Sequence, residues 1–359
     1  MRDSLGEHLD SLLTNRRWIP PEAELFARSR ERMRALKRSL RAGRNLSDGR
    51  TFYYFGGEVE RIAPADLPEM ERLYRTVRRR GGPGSRLVKE GMLGAIASNG
   101  SPDSLPFWRE ALALEGKRDM LKKTRHEFAV AGLALAAFRA GDAESLVELQ
   151  ALALEGPTPE AQGLAARALW LAPRNLALEA SPQLPALLTR IATAGRSLLP
   201  RYQARLGLHL LERPVPLDSP AGSLTFKAQL GRGFHCLVEL PAAAPLYTLH
   251  RAIQDGFDWD DDHLYCFYLN GKGSRAFEIP GLDPLGNPFD DTEYPDASEW
   301  RLGEVGFVKG SRFTYYFDFG DSHVFAVRVA AVHDAPRPYP LPHITRSGEP
   351  PAQYPDYDW

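Results

Sequence analysis

Two short stretches concentrate the side chains that could do chemistry. The first runs from Asp258 through Trp259, Asp260, Asp261, Asp262 and His263 to Tyr265; the second holds Asp318, Asp321 and His323. Carboxylates and imidazoles are the oxygen and nitrogen donors that divalent cations prefer. Both stretches sit at the ends of predicted strands. If those strands are neighbours, His263, Asp318, Asp321 and His323 converge on a metal ion or another ligand, with Trp259 and Tyr265 in the same candidate set. A structural reading stands beside this one. Asp260 and Asp261 would cap a turn, Asp321 would form a hairpin turn with Gly320, and His263 would satisfy a backbone carbonyl. The residue types leave both open.

Other groups read more simply. His250 lies on the apolar face of a predicted helix and is expected to be packed or bonded to a partner there. Tyr315, Phe317 and Phe319 alternate with Thr314, Tyr316 and Asp318, so one set faces a core and the other faces outward. The C-terminal Tyr354, Tyr357 and Trp359 are interspersed with Pro350, Pro351 and Pro355. That composition predicts an extended segment wrapping the domain, or a peptide offered to a partner. Cys236 and Cys266, the only cysteines, lie in apolar strand-like runs and are expected as buried thiols.

The N-terminal part offers a different chemistry. Arg30, Arg34 and Arg41 on one predicted helix, with Arg78, Arg79 and Arg80 at the end of another, form a weak candidate for nucleic-acid contact. Residues 1–200 carry 31 basic against 24 acidic side chains, and residues 201–359 carry 14 against 22. A basic half joined to an acidic half permits nucleic-acid binding without requiring it. No phosphate-binding glycine loop, zinc-protease helix, nucleophile elbow or paired C-x-x-C occurs, so the residues favour binding over catalysis. No cofactor is called for, a divalent metal being the one candidate.

These groups need elements to hold them. At 359 residues with 43% apolar and 25% charged side chains, the chain predicts two globular domains. It shows no membrane-length apolar run and no signal peptide, so a cytoplasmic protein is expected. Residues 22–43 have apolar Leu25, Met33, Leu36 and Leu40 at helical spacing. Residues 50–62 predict a hairpin about Gly56-Gly57, and a further helix ends near Gly81. From there the chain repeats itself. The string ALALEG recurs after 40 residues (111–116 and 151–156), and residues 89–100 pair with 130–141. A unit of two Ala/Leu-rich helices at that period predicts a HEAT-like α-solenoid, with further helices near 160–171 and 183–195. The expected organisation is a helical domain over 1–211, a proline-rich linker over 212–223 and an α+β domain over 224–359 with a mainly antiparallel sheet. Strands are predicted at 224–230, 235–240, 263–269, 275–279, 311–319 and 322–332, with a helix at 246–257.

The second domain resembles a known family. The string LYTLHRAIQDGFDWDDDHLYCFYLNG, the hairpin FVKGSRFTYYFDFGDSHVFAVRV and the tail SGEPPAQYPDYD occur in the order found in plasmid pRiA4b ORF-3-like proteins. This family is also known as a passenger protein of insertion elements. Where its members carry Pro-Pro-x-Trp-Arg-Arg, this chain has Gly231-Arg232-Gly233-Phe234-His235-Cys236. The resemblance implies a modest α+β domain and no established activity. The function expected is that of a binding protein with a helical scaffold, a second recognition domain and a protein partner. The rivals are a metal-dependent enzyme acting on nucleic acid and a nucleic-acid binding protein associated with mobile elements.

Overall fold

A computed structural model describes residues 22–41, 62–78, 83–113, 122–176, 181–271, 275–281 and 294–354. The hairpin expected about Gly56-Gly57, the side chains of Arg79 and Arg80, and the tail residues Tyr357 and Trp359 lie outside them. The chain forms two compact units. One comprises Ala153–Arg167 and Gln183–Trp359; the other is drawn from Ser4–Leu152 and Ala168–Pro182. Among the described residues, no helix is long and apolar enough to cross a membrane.

The second of these units is helical. Its helices are α1 (Glu22–Arg41), α2 (Leu67–Val77), α3 (Pro83–Asn99), α4 (Leu105–Ala113), α5 (Lys122–Ala140) and most of α6 (Ala143–Glu155). Helix α3 packs against α2 and α5, and α4 packs against α5. Glycine lets a large side chain seat against the α5 backbone. A Cβ on Gly132 would lie 2.1 Å from the Trp108 ring, a clash that only glycine avoids. Helices α3 and α5 end alike: Gly100 (φ +58°) and Gly141 (φ +65°) each turn left-handed, donating to the carbonyls of Ala97 and Phe138.

The other unit holds the start of α7 (Pro159–Asn175), then α8 (Leu184–Ala194), α9 (Leu198–Leu210) and the whole sheet. Helix α9 is buried from Leu198 to Leu208, including two arginines. Arg205 is fully enclosed. It donates to the carbonyls of Ala192 (3.0 Å) and Gly303 (2.7 Å) and to Asp218 (2.8 Å). Arg201 reaches the same Asp218 oxygen at 2.5 Å and the Gly306 carbonyl at 3.1 Å. Buried guanidinium is tolerable only with such full satisfaction of its donors. The proline-rich stretch 212–223 is thus pinned through Asp218.

The strands are β1 (Ser223–Leu230), β2 (His235–Pro241), β3 (Tyr265–Tyr268), β4 (Glu278–Pro280), β5 (Arg312–Phe317), β6 (His323–His333) and β7 (His343–Arg346). They form one seven-stranded sheet in the order β4-β3-β5-β6-β1-β2-β7, with every pairing antiparallel. The α+β layout with a mainly antiparallel sheet is therefore present. Two details differ from expectation. The strand predicted at 275–279 begins as a 3-10 turn, Arg275–Phe277, whose last carbonyl accepts from Leu269. Strand β7 was not expected. It is short and polar, and pairs only with β2 at the sheet edge.

Helix α10 (Tyr247–Phe257) lies across β2 and β7. Its buried His250 and Phe257 meet Tyr315, Phe317 and Phe325, all fully buried. A Cβ on Gly256 would lie 2.7 Å from Cys236 Sγ, so glycine sets the depth at which the helix seats. Both cysteines are buried and free, and burial pushes their thiols up to about 12.

Candidate functional site

The strand register decides which side chains meet. Tyr265 pairs with Phe317 across β3 and β5, and Phe317 pairs with His323 across β5 and β6. The segment before β3 therefore lies beside the β5–β6 turn, at the same end of the sheet where α10 finishes. There Asp258 takes a left-handed conformation (φ +61°) and redirects the chain into Trp259–His263.

Asp318 is the centre of this end. It is 5% exposed and left-handed (φ +54°), with its N–H donating to the Leu264 carbonyl. Its Oδ1 accepts from the backbone N–H of Gly320 (2.8 Å) and of Asp321 (3.2 Å). Its Oδ2 accepts from the Tyr354 hydroxyl (3.2 Å) and lies 3.6 Å from His263 Nε2. Burial alone would raise this carboxyl. The two backbone donors and His263 outweigh it and hold Asp318 below the usual carboxylate range.

His263 is exposed and stands 3.6 Å from both Asp262 and Asp318. Donor atoms of Asp318, Asp321 and His323 all lie within 4.8 Å of one another, close enough to share a cation. His323 sits against Trp259 (ring centroids 4.7 Å) and parallel to Phe317 (6.3 Å), and its Nε2 is buried with no hydrogen-bond partner among the described residues. The structure thus brings His263, Asp318, Asp321, His323 and Trp259 to one place. Tyr265 stands apart from them: its ring stacks on His250 at 3.9 Å, behind the site.

His250 itself is buried and partner-bonded. Tyr315 accepts from Gln254 Nε2 at 2.6 Å, which leaves its hydroxyl proton to donate to His250 Nδ1, also at 2.6 Å. That assignment requires a neutral imidazole. Burial, opposed only in part by Asp261, pushes His250 down to about 4.

The tail runs along the domain as one of its two expected readings had it, but residue types alone did not give its contacts. Trp259 Nε1 donates to the Pro351 carbonyl at 2.8 Å. The Gln353 amide takes the Asp260 N–H at 2.9 Å and returns a bond to the Asp260 carbonyl at 3.3 Å. Tyr354 then closes over Asp318, its ring 6.3 Å from His263 and 6.0 Å from His323. The proline-aromatic composition of 350–357 was the available signal; the contact partners were not in it.

The arginines of the helical unit are placed differently. Arg30 pairs with Asp66 at 2.6 Å and Arg78 with Glu110 at 3.4 Å, while Arg34 and Arg41 are exposed on α1.

Residues 236–354 match the family model described as plasmid pRiA4b ORF-3-like protein. The match covers the helix, the acidic run, the β5–β6 hairpin and the strapped tail, so the resemblance holds for the C-terminal domain. The chain is also similar to a crystal structure titled as a protein of unknown function, MM3350, from Methanosarcina mazei Go1. That likeness is 21% identical, covers 36% of this chain and 71% of that one, and has a TM-score of 0.29. No curated protein matches the chain.

Proposed function

We propose that this chain is a binding protein: a helical-repeat scaffold joined to an ORF-3-like recognition domain whose working surface is the end of the sheet around Asp318. One observation carries this reading. Of the large apolar side chains that are about half exposed among the described residues, Leu264, Phe319, Val324 and Tyr354 all lie at this end. Leu264 bonds to Asp318 through its carbonyl, Val324 pairs with Tyr316, the Phe319 ring lies 5.0 Å from Tyr316, and Tyr354 caps Asp318. Exposed apolar groups at one end of the sheet, with Phe319 and Val324 beside Tyr316 and Tyr354 beside His323, in the same loops as Asp260, Asp262 and Asp321, suit a macromolecular partner. Catalysis is less well served. The buried carboxylate at this end, Asp318, is already occupied by three donors, which makes it a weak base.

The test is capture from the native host with the full-length chain as bait. The unaltered chain is expected to retain a discrete partner that Leu264→Ser and Phe319→Ser lose while keeping their far-ultraviolet spectrum. Equal capture by all three forms, or none by any, would overturn the reading.

The mutual closeness of Asp318, Asp321 and His323 favours one second reading, a divalent-cation site. It would support the metal-dependent enzyme acting on nucleic acid that the acidic and histidine residues suggested. Added Mn²⁺ or Zn²⁺ should then raise the melting midpoint of the native chain and leave that of Asp321→Asn/His323→Ala unchanged. Identical responses would remove it.

A further inference from the structure

The contacts that hold the tail are those of a peptide-recognition groove. An indole N–H aimed at a proline carbonyl is how aromatic grooves read extended, proline-rich segments, because such a segment presents its carbonyls outward without internal bonds. Here Trp259 makes that contact to Pro351. The neighbouring Asp260 backbone offers one donor and one acceptor, and a single glutamine amide two residues along the tail satisfies both. One residue further, a tyrosine hydroxyl reaches a buried carboxylate between two imidazole rings. The tail segment Pro350-Pro351-Ala352-Gln353-Tyr354 thereby meets three separate features of the domain in sequence.

The seating is shallow. The Tyr354 ring is about half exposed, and the segment leaves β7 through Gly348, which turns left-handed (φ +99°) with nothing within 4 Å of a Cβ placed there. We propose that Trp259, the Asp260 backbone and Asp318 form a groove for a proline-rich, Gln-Tyr-containing segment of a partner protein. In this proposal the chain's own tail is the occupant in cis. The tail then acts as a competitor: a partner must displace it, and weakening its hold raises the affinity of the groove for a segment in trans. The proposal rests on the reading of this end of the sheet as a recognition surface, and it names the ligand chemistry.

The probe is a fluorescein-labelled peptide of sequence SGEPPAQYPDYDW, titrated by anisotropy into the full-length chain. The double variant Gln353→Ala/Tyr354→Phe is expected to bind it at least tenfold more tightly than the unaltered chain. Adding Trp259→Phe to that variant should remove at least tenfold, as should replacing both leading prolines of the peptide by alanine in a chain that keeps Trp259. The peptide variant carries the test if Trp259→Phe fails to fold. Equal affinity for the unaltered chain and the double variant overturns the proposal, as does indifference to the proline replacement. A native chain that elutes as a dimer, lost in the double variant, overturns the assignment to a foreign partner, since the groove then serves a second copy. If the peptide fails while partner capture still depends on Leu264 and Phe319, the groove falls and the recognition surface stands.

Discussion

Two histidine-tyrosine clusters stand one behind the other in the C-terminal domain. In the inner one, the Tyr315 hydroxyl joins His250 and Gln254 within the core, the Gln254 amide oxygen having no partner among the described residues, and His250 is pushed down to about 4 by burial. In the outer one, His263 and His323 flank Asp318, and the groups that close it come from the tail. The residue types are nearly the same. What differs is who supplies the last partner: the inner cluster is completed by a strand and a helix of the fold, the outer one by a segment that a competing peptide could replace. A network held by the fold rigidifies a core, whereas one completed by a replaceable segment can pass its hydrogen bonds to a ligand.

The comparison can be broken most severely by acid. His250 has an ordinary value of 6.5 and is held at about 4 in the fold. Between these values the unfolded chain takes up a proton that the folded chain refuses. Its contribution to stability is therefore complete above the ordinary value and is lost as pH falls toward the lower one. The expected loss accumulates to roughly 3 kcal/mol over this window, from about 1.4 kcal/mol per pH unit. Urea titrations from pH 7 to 4 should show the decline in the native chain and not in His250→Asn. Asp318 has the same sign in a different window, because its depressed carboxyl is stabilising above the usual carboxylate value and loses that only below it.

Removal of the inner hydroxyl comes next. Tyr315→Phe strands His250 Nδ1 and the Gln254 amide inside the core, at an expected cost of about 1–3 kcal/mol in urea unfolding. A loss under about 0.5 kcal/mol would mean that the inner network is no tighter than a surface contact. In the outer cluster, Asp318→Ala frees two backbone N–H groups of the β5–β6 turn and should cost about 1–2 kcal/mol. The smallest effect is expected for Tyr354→Phe, below about 1 kcal/mol, because this ring is half solvated. Its signature is local: faster amide exchange at Trp259 to His263 with no change at Tyr315. Uniformly faster exchange would show the tail to be part of the core rather than a removable strap.

Much of the domain was legible as local pattern. Alternation marked β1, β2, β5 and β6, helical spacing marked α10, and the Gly320-Asp321 pair marked the hairpin between β5 and β6. Tyr315 and Phe317 share the buried face that the alternation allows, but Phe319 of the same set is half exposed and Asp318 is buried, because the left-handed Asp318 breaks the alternation there. Strand β7 was not legible, since HITR follows a proline-rich run and has no alternation with which to declare a buried face. The strand expected at 275–279 is shorter than alternation suggested: Arg275–Phe277 forms a 3-10 turn, and the pairing with β3 starts only where the Phe277 carbonyl accepts from Leu269, in register with Tyr268 and Glu278.

What the sequence determined by itself was therefore everything that depends on neighbours along the chain: the helices, the major strands, the family-like strings and the residue types available for a site. Only the tertiary structure decided that His263 and Tyr354 meet at Asp318, that Tyr265 turns to His250 instead, and that Trp259 holds Pro351. Those choices follow from strand register and from the path of the tail after β7. A shift of one residue in the pairing of β3 with β5 would turn Tyr265 away from His250 and carry His263 away from Asp318. Periodicity says that a strand has two faces; it does not say which residue stands across from which.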